Sequence, residues 1–316
     1  MIEMNMYMGF VAGLLLLVFC GDALVKGASQ IGQLLRISPV FVGVVVIGLG
    51  TSLPEILTTL LAGMKGEGQL AVGNVVGSNI ANIGLILAIG LIMFGRHGMK
   101  TEVGRVDYSL MLGATALFIG LAYYTPELGT TAGIILLVAL VAALTLLVSR
   151  SRKAAEAEDD AAIDPLETNW ASALTQVGIG LLGLWLGAEL LVNSAIAIAT
   201  EWHVPTKIIG LTMVAIGTSL PELAATIAAA ARRNCGLIIG NVLGSNLLNI
   251  TAALGLGSLL TPLSTSGMET DMFVMALFAV VLLPLFIWSK LTGRAAGFML
   301  LGCYVVYLAA LTYSAT

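Results

Sequence analysis

Hydrophobic and polar positions divide the 316 residues into ten apolar runs separated by short polar breaks. The runs fall near residues 5–25, 39–63, 70–94, 108–124 and 131–148, then near 171–199, 205–231, 237–261, 272–289 and 296–313. Most are apolar over roughly 20 residues, the length a helix needs to cross a hydrocarbon core about 30 Å thick. Barrel strands would instead alternate over about 10 residues. The pattern predicts an all-α integral membrane protein with ten transmembrane helices. The one strongly polar stretch follows the fifth run, where Arg150, Arg152 and Lys153 precede six acids between Glu156 and Glu167. It reads as a solvated linker, 150–169, between a first half (1–149) and a second (170–316).

Two short phrases occur once in each half. Gly50-Thr-Ser-Leu-Pro-Glu55 returns unchanged as Gly217-Thr-Ser-Leu-Pro-Glu222. Gly73-Asn-Val-Val-Gly-Ser-Asn-Ile-Ala-Asn-Ile83 returns as Gly240-Asn-Val-Leu-Gly-Ser-Asn-Leu-Leu-Asn-Ile250, identical in eight of eleven positions. Every matched pair is 167 residues apart, as are Asp22 and Glu189, and Gly43 and Gly210. This is an internal duplication, with motif regions 43–83 and 210–250. Five runs per half is an odd number, so the second half enters the membrane upside down relative to the first. Two inverted five-helix repeats are an architecture of many secondary transporters, with the binding site at midplane.

Composition excludes a soluble globular domain: 58% of residues are hydrophobic, 10% are charged, and mean hydropathy is +1.01. The net charge of −4 matters less than where the charges sit. Twelve of the fourteen Lys and Arg fall in loops on one side, and Lys65 and Lys207 lie on the other. The positive-inside rule places the linker in the cytoplasm and both termini outside, in a plasma or inner membrane. Cys20, Cys235 and Cys303 are scattered and read as apolar fillers. The run from Met6 to Cys20 has no basic flank and reads as a retained first span.

The two phrases carry the chemistry. An ionisable side chain inside a span is costly and marks a functional site. Glu55 and Glu222 are such residues, placed symmetrically. Pro54 lacks an N–H and clashes with the carbonyl of Gly50, so the helix should open and leave carbonyls unpaired near 48–51, and likewise near 215–218. Thr51 and Glu55 are spaced to share a helix face, as are Thr218 and Glu222. Asn74, Ser78 and Asn82 form one polar stripe, and Asn241, Ser245 and Asn249 its twin. Gly73 and Gly77, like Gly240 and Gly244, have the spacing that lets helices approach closely. Asn79 and Asn246 lie off the stripe and read as links between helices. Asp22 and Glu189 lie near opposite span ends, where a carboxylate reaches water or, for Asp22, Lys26. Thr51, Glu55, Ser78, Asn82 and their twins Thr218, Glu222, Ser245 and Asn249 supply hard oxygen donors, with no Cys or His. That set suits Ca²⁺, Na⁺ or Mg²⁺ rather than Zn²⁺ or copper. Two carboxylates and a flexible oxygen count fit Ca²⁺ best.

At these residues the chain resembles the cation/Ca²⁺ exchanger superfamily, and most closely its prokaryotic sodium/calcium exchangers. The doubled motif carries the resemblance, which covers essentially the whole chain. It implies a non-enzymatic antiporter working by alternating access, in which one Ca²⁺ and several Na⁺ compete for overlapping central sites. The family's ligands carry over to Thr51, Glu55, Ser78, Asn82, Thr218, Glu222, Ser245 and Asn249, with carbonyls near Gly48 and Ala215 holding Na⁺. The first and sixth helices would slide across the core to switch access. The implied partners are the bilayer and the two ions, with no prosthetic group and no nucleic acid. Some microbial members carry an acid where this chain has Asn249, which leaves the driving ion and the stoichiometry open. A proton-driven Ca²⁺ antiporter of the same superfamily is the nearest alternative, and a cation channel a more distant one. An intramembrane hydrolase using Ser52 or Ser219 lacks a base, since His97 and His203 fall in loops.

Overall fold

The computed structural model describes residues 5–95, 104–157, 169–202, 217–288 and 293–314. Helix α1 (Met6–Leu35) is capped by Asn5, whose side chain accepts from the Tyr7 N–H at 2.9 Å, and it stops at Arg36 in the left-handed region. A broken pair follows, α2 (Pro39–Thr51) and α3 (Leu53–Met64), bent by 44°. Helices α4 (Gly68–Phe94), α5 (Arg105–Tyr124) and α6 (Thr130–Ala157) complete the first half. The second half holds α7 (Trp170–Glu201), α8 (Leu220–Ala231), α9 (Cys235–Leu260), α10 (Glu269–Ile287) and α11 (Arg294–Ser314). Eight of these helices are long and apolar enough to cross a membrane, and the bent pair makes a ninth. The seventh apolar run, 205–231, is described only from residue 217 onward, chiefly as α8.

Three features depart from the hydropathy pattern. Helix α1 runs ten residues past the end of its apolar stretch at 25. Backbone hydrogen bonds rather than apolarity propagate a helix, so it continues through Asp22 and Lys26. At 30 and 32 residues, α1 and α7 are each about 45 Å long, well beyond the hydrocarbon thickness. Similarly, α6 continues to Ala157, inside the stretch read as linker, because its Arg, Lys, Ala and Glu are good helix formers. Residues 158–168 of that linker lie outside the described residues. Finally, β1 (Glu127–Leu128) pairs antiparallel with β2 (Leu263–Ser264), a small exception to the all-α expectation.

The two halves interlock. Helix α6 packs on the end of α9, and α11 on the end of α4, so the last helix of each half closes over the other half's core. The two most central helices are α4 and α9, with α9 buried along its whole apolar window. Gly240 brings α9 against α2, where an added Cβ would meet the Gly43 Cα at 2.8 Å and the Val40 carbonyl. Outside this core, α1 and α7 pack along their lengths through a glycine seam. A Cβ at Gly180 would lie 2.7 Å from the Leu24 N, and Cys20 fills the space above Gly183.

The packing around the core differs between the copies. Asp22 of α1 binds Arg232, just beyond α8, through Nε at 2.8 Å, and Lys26 at 3.0 Å. Gly21 sits against Ala224 of α8, where an added Cβ would lie 3.1 Å from the Ala224 carbonyl oxygen. The positions 167 residues away from Asp22 and Arg232 are Glu189 and Lys65, both exposed and not paired with each other. The counterpart of Ala224 is Leu57, which is 56% exposed.

The seam can be tested at two glycines of α7. Gly180→Ala should lower the Tm of the detergent-solubilised protein, since overpacking costs about 1–3 kcal/mol. Gly178→Ala, where the added Cβ meets nothing within 4 Å, should not. Equal shifts would mean that the seam is not tight.

Candidate cation site

Local backbone sets the site. In α2 the segment Gly43–Gly48 is π-helical, and the chain breaks at Ser52 (φ −81°, ψ −1°) with Pro54 in the first turn of α3. Pro54 withdraws the N–H that the Gly50 carbonyl would have received. The Gly48 carbonyl, expected to be free, accepts the Ser52 N–H at 3.0 Å. The hydroxyls of Thr51 and Ser245 also face this carbonyl, each at 3.5 Å. Ala215, its counterpart in the second half, lies outside the described residues. Helix α4 switches to a π segment at Asn82–Leu87 and α9 at Asn249–Leu254. Both switches begin on an asparagine singled out by the repeat. A π turn inserts a residue and is often found at functional sites.

Crossed packing joins the copies. Helix α3, carrying Glu55, packs against the 249–254 segment, and α8, carrying Glu222, against the 82–87 segment. Glu55 and Glu222 are each 1% exposed. The Ser52 hydroxyl donates to Glu222 Oε1 at 3.3 Å. Thr51 and Ser52 border Glu222, Thr218 and Ser219 border Glu55, and the two carboxylates are close enough to act on each other. Among the described residues eight buried side-chain atoms have no hydrogen-bond partner. Six belong to the two phrases: both oxygens of Glu55, Glu222 Oε2, Asn82 Oδ1, Asn249 Oδ1 and Ser219 Oγ. All six are oxygens, and buried polar atoms are normally paired. A cation among them would satisfy carboxylates, amides and hydroxyl at once.

The remaining candidates divide by what they touch. Thr51 is buried, and its hydroxyl donates to the Ile47 carbonyl at 3.0 Å, which leaves oxygen lone pairs available. Ser78 and Ser245 are buried, while Thr218 is half-buried. The first members of the two stripes act otherwise. Asn74 donates to the Glu55 carbonyl at 3.1 Å and to Thr59 Oγ1 at 3.0 Å. Asn241 repeats this on Glu222 and Thr226 at 3.1 and 3.0 Å. These two pin each glutamate-bearing helix to its neighbour. Ser52 and Ser219, considered from sequence only as nucleophiles, instead belong beside the carboxylates. Their place in a phrase that ends in Glu was the available signal.

The fold and this site define a polytopic helical membrane protein built around a duplicated, buried, oxygen-lined site. A family model, Sodium/calcium exchanger protein, matches residues 6–149 and 172–313. The chain belongs to that family, whose members are exchangers rather than enzymes. It is similar to Inner membrane protein YrbG of Escherichia coli strain K12, with 34% identity over 95% of each chain. Sodium/calcium exchanger MaX1 of Methanosarcina acetivorans is 30% identical, over 99% of this chain and 100% of that one. Among solved structures, the sodium-calcium exchanger NCX_Mj soaked with 2.5 mM Na⁺ and 0.1 mM Ca²⁺ superposes with a TM-score of 0.82. The identity there is 32%, covering 97% of this chain and 98% of that one.

Ligand binding should register as stability. Ca²⁺ at about 100 times its Kd should stabilise the folded protein by about 2.7 kcal/mol, read as a rise in Tm, and chelation should remove it. Glu55→Gln or Glu222→Gln should flatten the rise. A full Ca²⁺-dependent rise in both variants would exclude the carboxylates from the site.

Proposed function

We propose that this protein is a secondary active antiporter exchanging Ca²⁺ for Na⁺ across a cell membrane. The observation that carries the reading is the pair of buried glutamates with three unpaired carboxylate oxygens, surrounded by unpaired neutral oxygens. Glu55 and Glu222 hold Ca²⁺ and neutralise it. Thr51, Ser78, Asn82, Thr218, Ser245 and Asn249 complete its shell. Na⁺ takes overlapping positions among the same neutral oxygens and the carbonyls near Gly48 and Ala215. Either ion load excludes the other, which couples the two fluxes.

The repeats, 1–149 and 170–316, are read as inverted, with ten spans, the 150–169 linker in the cytoplasm and both termini outside. Alternating access follows from inversion if the two copies exchange environments. The unequal packing of α1 and α7 supports this reading. Asp22 is held at Arg232 in this conformer, and Glu189 is apart from Lys65. In the opposite conformer α7 covers Leu57 of α3, and Glu189 meets Lys65 while Asp22 lets go. Proton coupling is the second reading, because Glu55 and Glu222 are the titratable groups of the two phrases. A proton, however, would leave the amide and hydroxyl oxygens without a partner.

Two experiments test this. Vesicles loaded with Na⁺ and diluted into Na⁺-free medium should take up Ca²⁺ at constant pH, with K⁺ a poor substitute. Uptake should fall to background in Glu55→Gln and Glu222→Gln, and less in Thr51→Ala. Equal uptake driven by a pH gradient with no Na⁺ on either side would establish proton coupling instead. For the access cycle, cysteines replacing Asp22 and Arg232 should cross-link and stop transport, as should cysteines replacing Lys65 and Glu189. Active transport without any cross-link at the second pair would contradict the exchange of environments.

A further inference from the structure

Asn79 and Asn246 stand off the polar stripes, and none of their atoms is among the unpaired oxygens. We propose that they are positioning residues, each turning the amide of a site asparagine in the other half so that its oxygen faces the cation. The proposal rests on the reading of Asn82 and Asn249 as ligands. Asn82 Nδ2 donates to Asn246 Oδ1 at 2.9 Å, and Asn249 Nδ2 donates to Asn79 Oδ1 at 3.2 Å. All four residues are at most 1% exposed, so water does not compete for these groups.

The orientation follows from an irreversible starting point. A backbone carbonyl only accepts. Asn79 Nδ2 donates to the Asn246 carbonyl at 3.2 Å, and Asn246 Nδ2 donates to the Asn79 carbonyl at 3.4 Å. With its nitrogen committed, each of these amides presents its oxygen on the far side. That oxygen takes an N–H from Asn249 or Asn82, whose own Oδ1 is left pointing elsewhere and unpaired. Rotating a site asparagine by half a turn would set oxygen against oxygen and aim an NH₂ group at a cation. A free carboxamide has no strong preference between its two faces, and this reciprocal pair of links supplies one. It also accounts for asparagine at 249: a carboxylate there has no N–H to give to Asn79.

A double-mutant cycle on the purified, full-length protein tests the proposal, reading Ca²⁺ affinity by titration and Ca²⁺ uptake in vesicles. Outer-shell partners of metal ligands typically carry about 10–100-fold in affinity. Asn79→Ala should weaken Ca²⁺ binding by about 10-fold, raising KM while the maximal uptake rate is kept. In the Asn249→Ala background the same change should add nothing, because the amide it orients is gone. The mirror pair, Asn246→Ala with Asn82→Ala, should behave alike and serves if Asn79→Ala fails to fold. Additive losses, or an Asn79→Ala protein with lower Tm but wild-type Ca²⁺ affinity, would reduce Asn79 to a packing role and overturn the proposal alone. Unchanged affinity in Asn249→Ala would overturn the ligand assignment, and with it the positioning of that amide.

Discussion

Two glutamates held in a water-excluded core are the constraint on which the rest of the structure depends. An isolated ionised carboxylate in such surroundings carries a large desolvation cost, and two of them repel each other as well. Among the described residues, no Lys or Arg is hydrogen-bonded or ion-paired to Glu55 or Glu222. Three of their four carboxylate oxygens have no partner among the described residues. The fold nonetheless fixes both firmly, through Asn74 and Asn241 on the carbonyls of the very residues that bear the charge. Rigid placement combined with incomplete pairing is a poor arrangement for stability alone. It is the arrangement a site needs when a transient cation supplies the missing partner.

Symmetry explains how such a site is assembled from few parts. Helices α3 and α8 each bring their glutamate against the π segment of the other copy, so neither half holds a complete set of oxygens. Ser52 reaches Glu222, and Thr51 faces Asn241 at 3.4 Å. The asparagine links at 79 and 246 cross the same boundary. Closing one half over the other is therefore the act that forms the site. The long α1–α7 pair lies outside this interlocked core, joined to it on one side by the Asp22–Arg232 contact. A rigid centre with a separable outer pair suits a carrier that exposes one site to two sides in turn.

Much of this was legible in the residues, and the remainder failed for identifiable reasons. The twin glutamates, the break at Pro54 and the duplication follow from identity and spacing, which the chain states directly. The π segments at Asn82 and Asn249 do not, because a single inserted residue leaves the apolar pattern of a buried helix unchanged. For the same reason the stripe of Asn74, Ser78 and Asn82 looked uniform, although Asn74 is committed to Glu55 and Thr59. Helix ends are not legible where polar residues emerge, as in α1 and α6, since hydropathy reports the membrane and not the hydrogen-bond ladder. The exposed Glu189 and Lys65 show the last limit. Sequence displays the equivalence of the two copies, and only packing displays where they differ.

The residue at 249 bears on what the site can carry. With asparagine at 249, the two phrases contribute two carboxylates, so the formal charge of the ligand set is −2 when both are ionised. One Ca²⁺ or two Na⁺ then brings the core to neutrality, and a third Na⁺ would leave it positive. A third carboxylate at 249 would leave the Ca²⁺-loaded core negative unless it were protonated. Moving α1 and α7 past a neutral core requires no net charge to be carried through low-dielectric surroundings, where uncompensated charge is most costly. Under the proposed exchange, the amide at 249 would supply an oxygen to the ion without adding to the charge that α1 and α7 would have to pass.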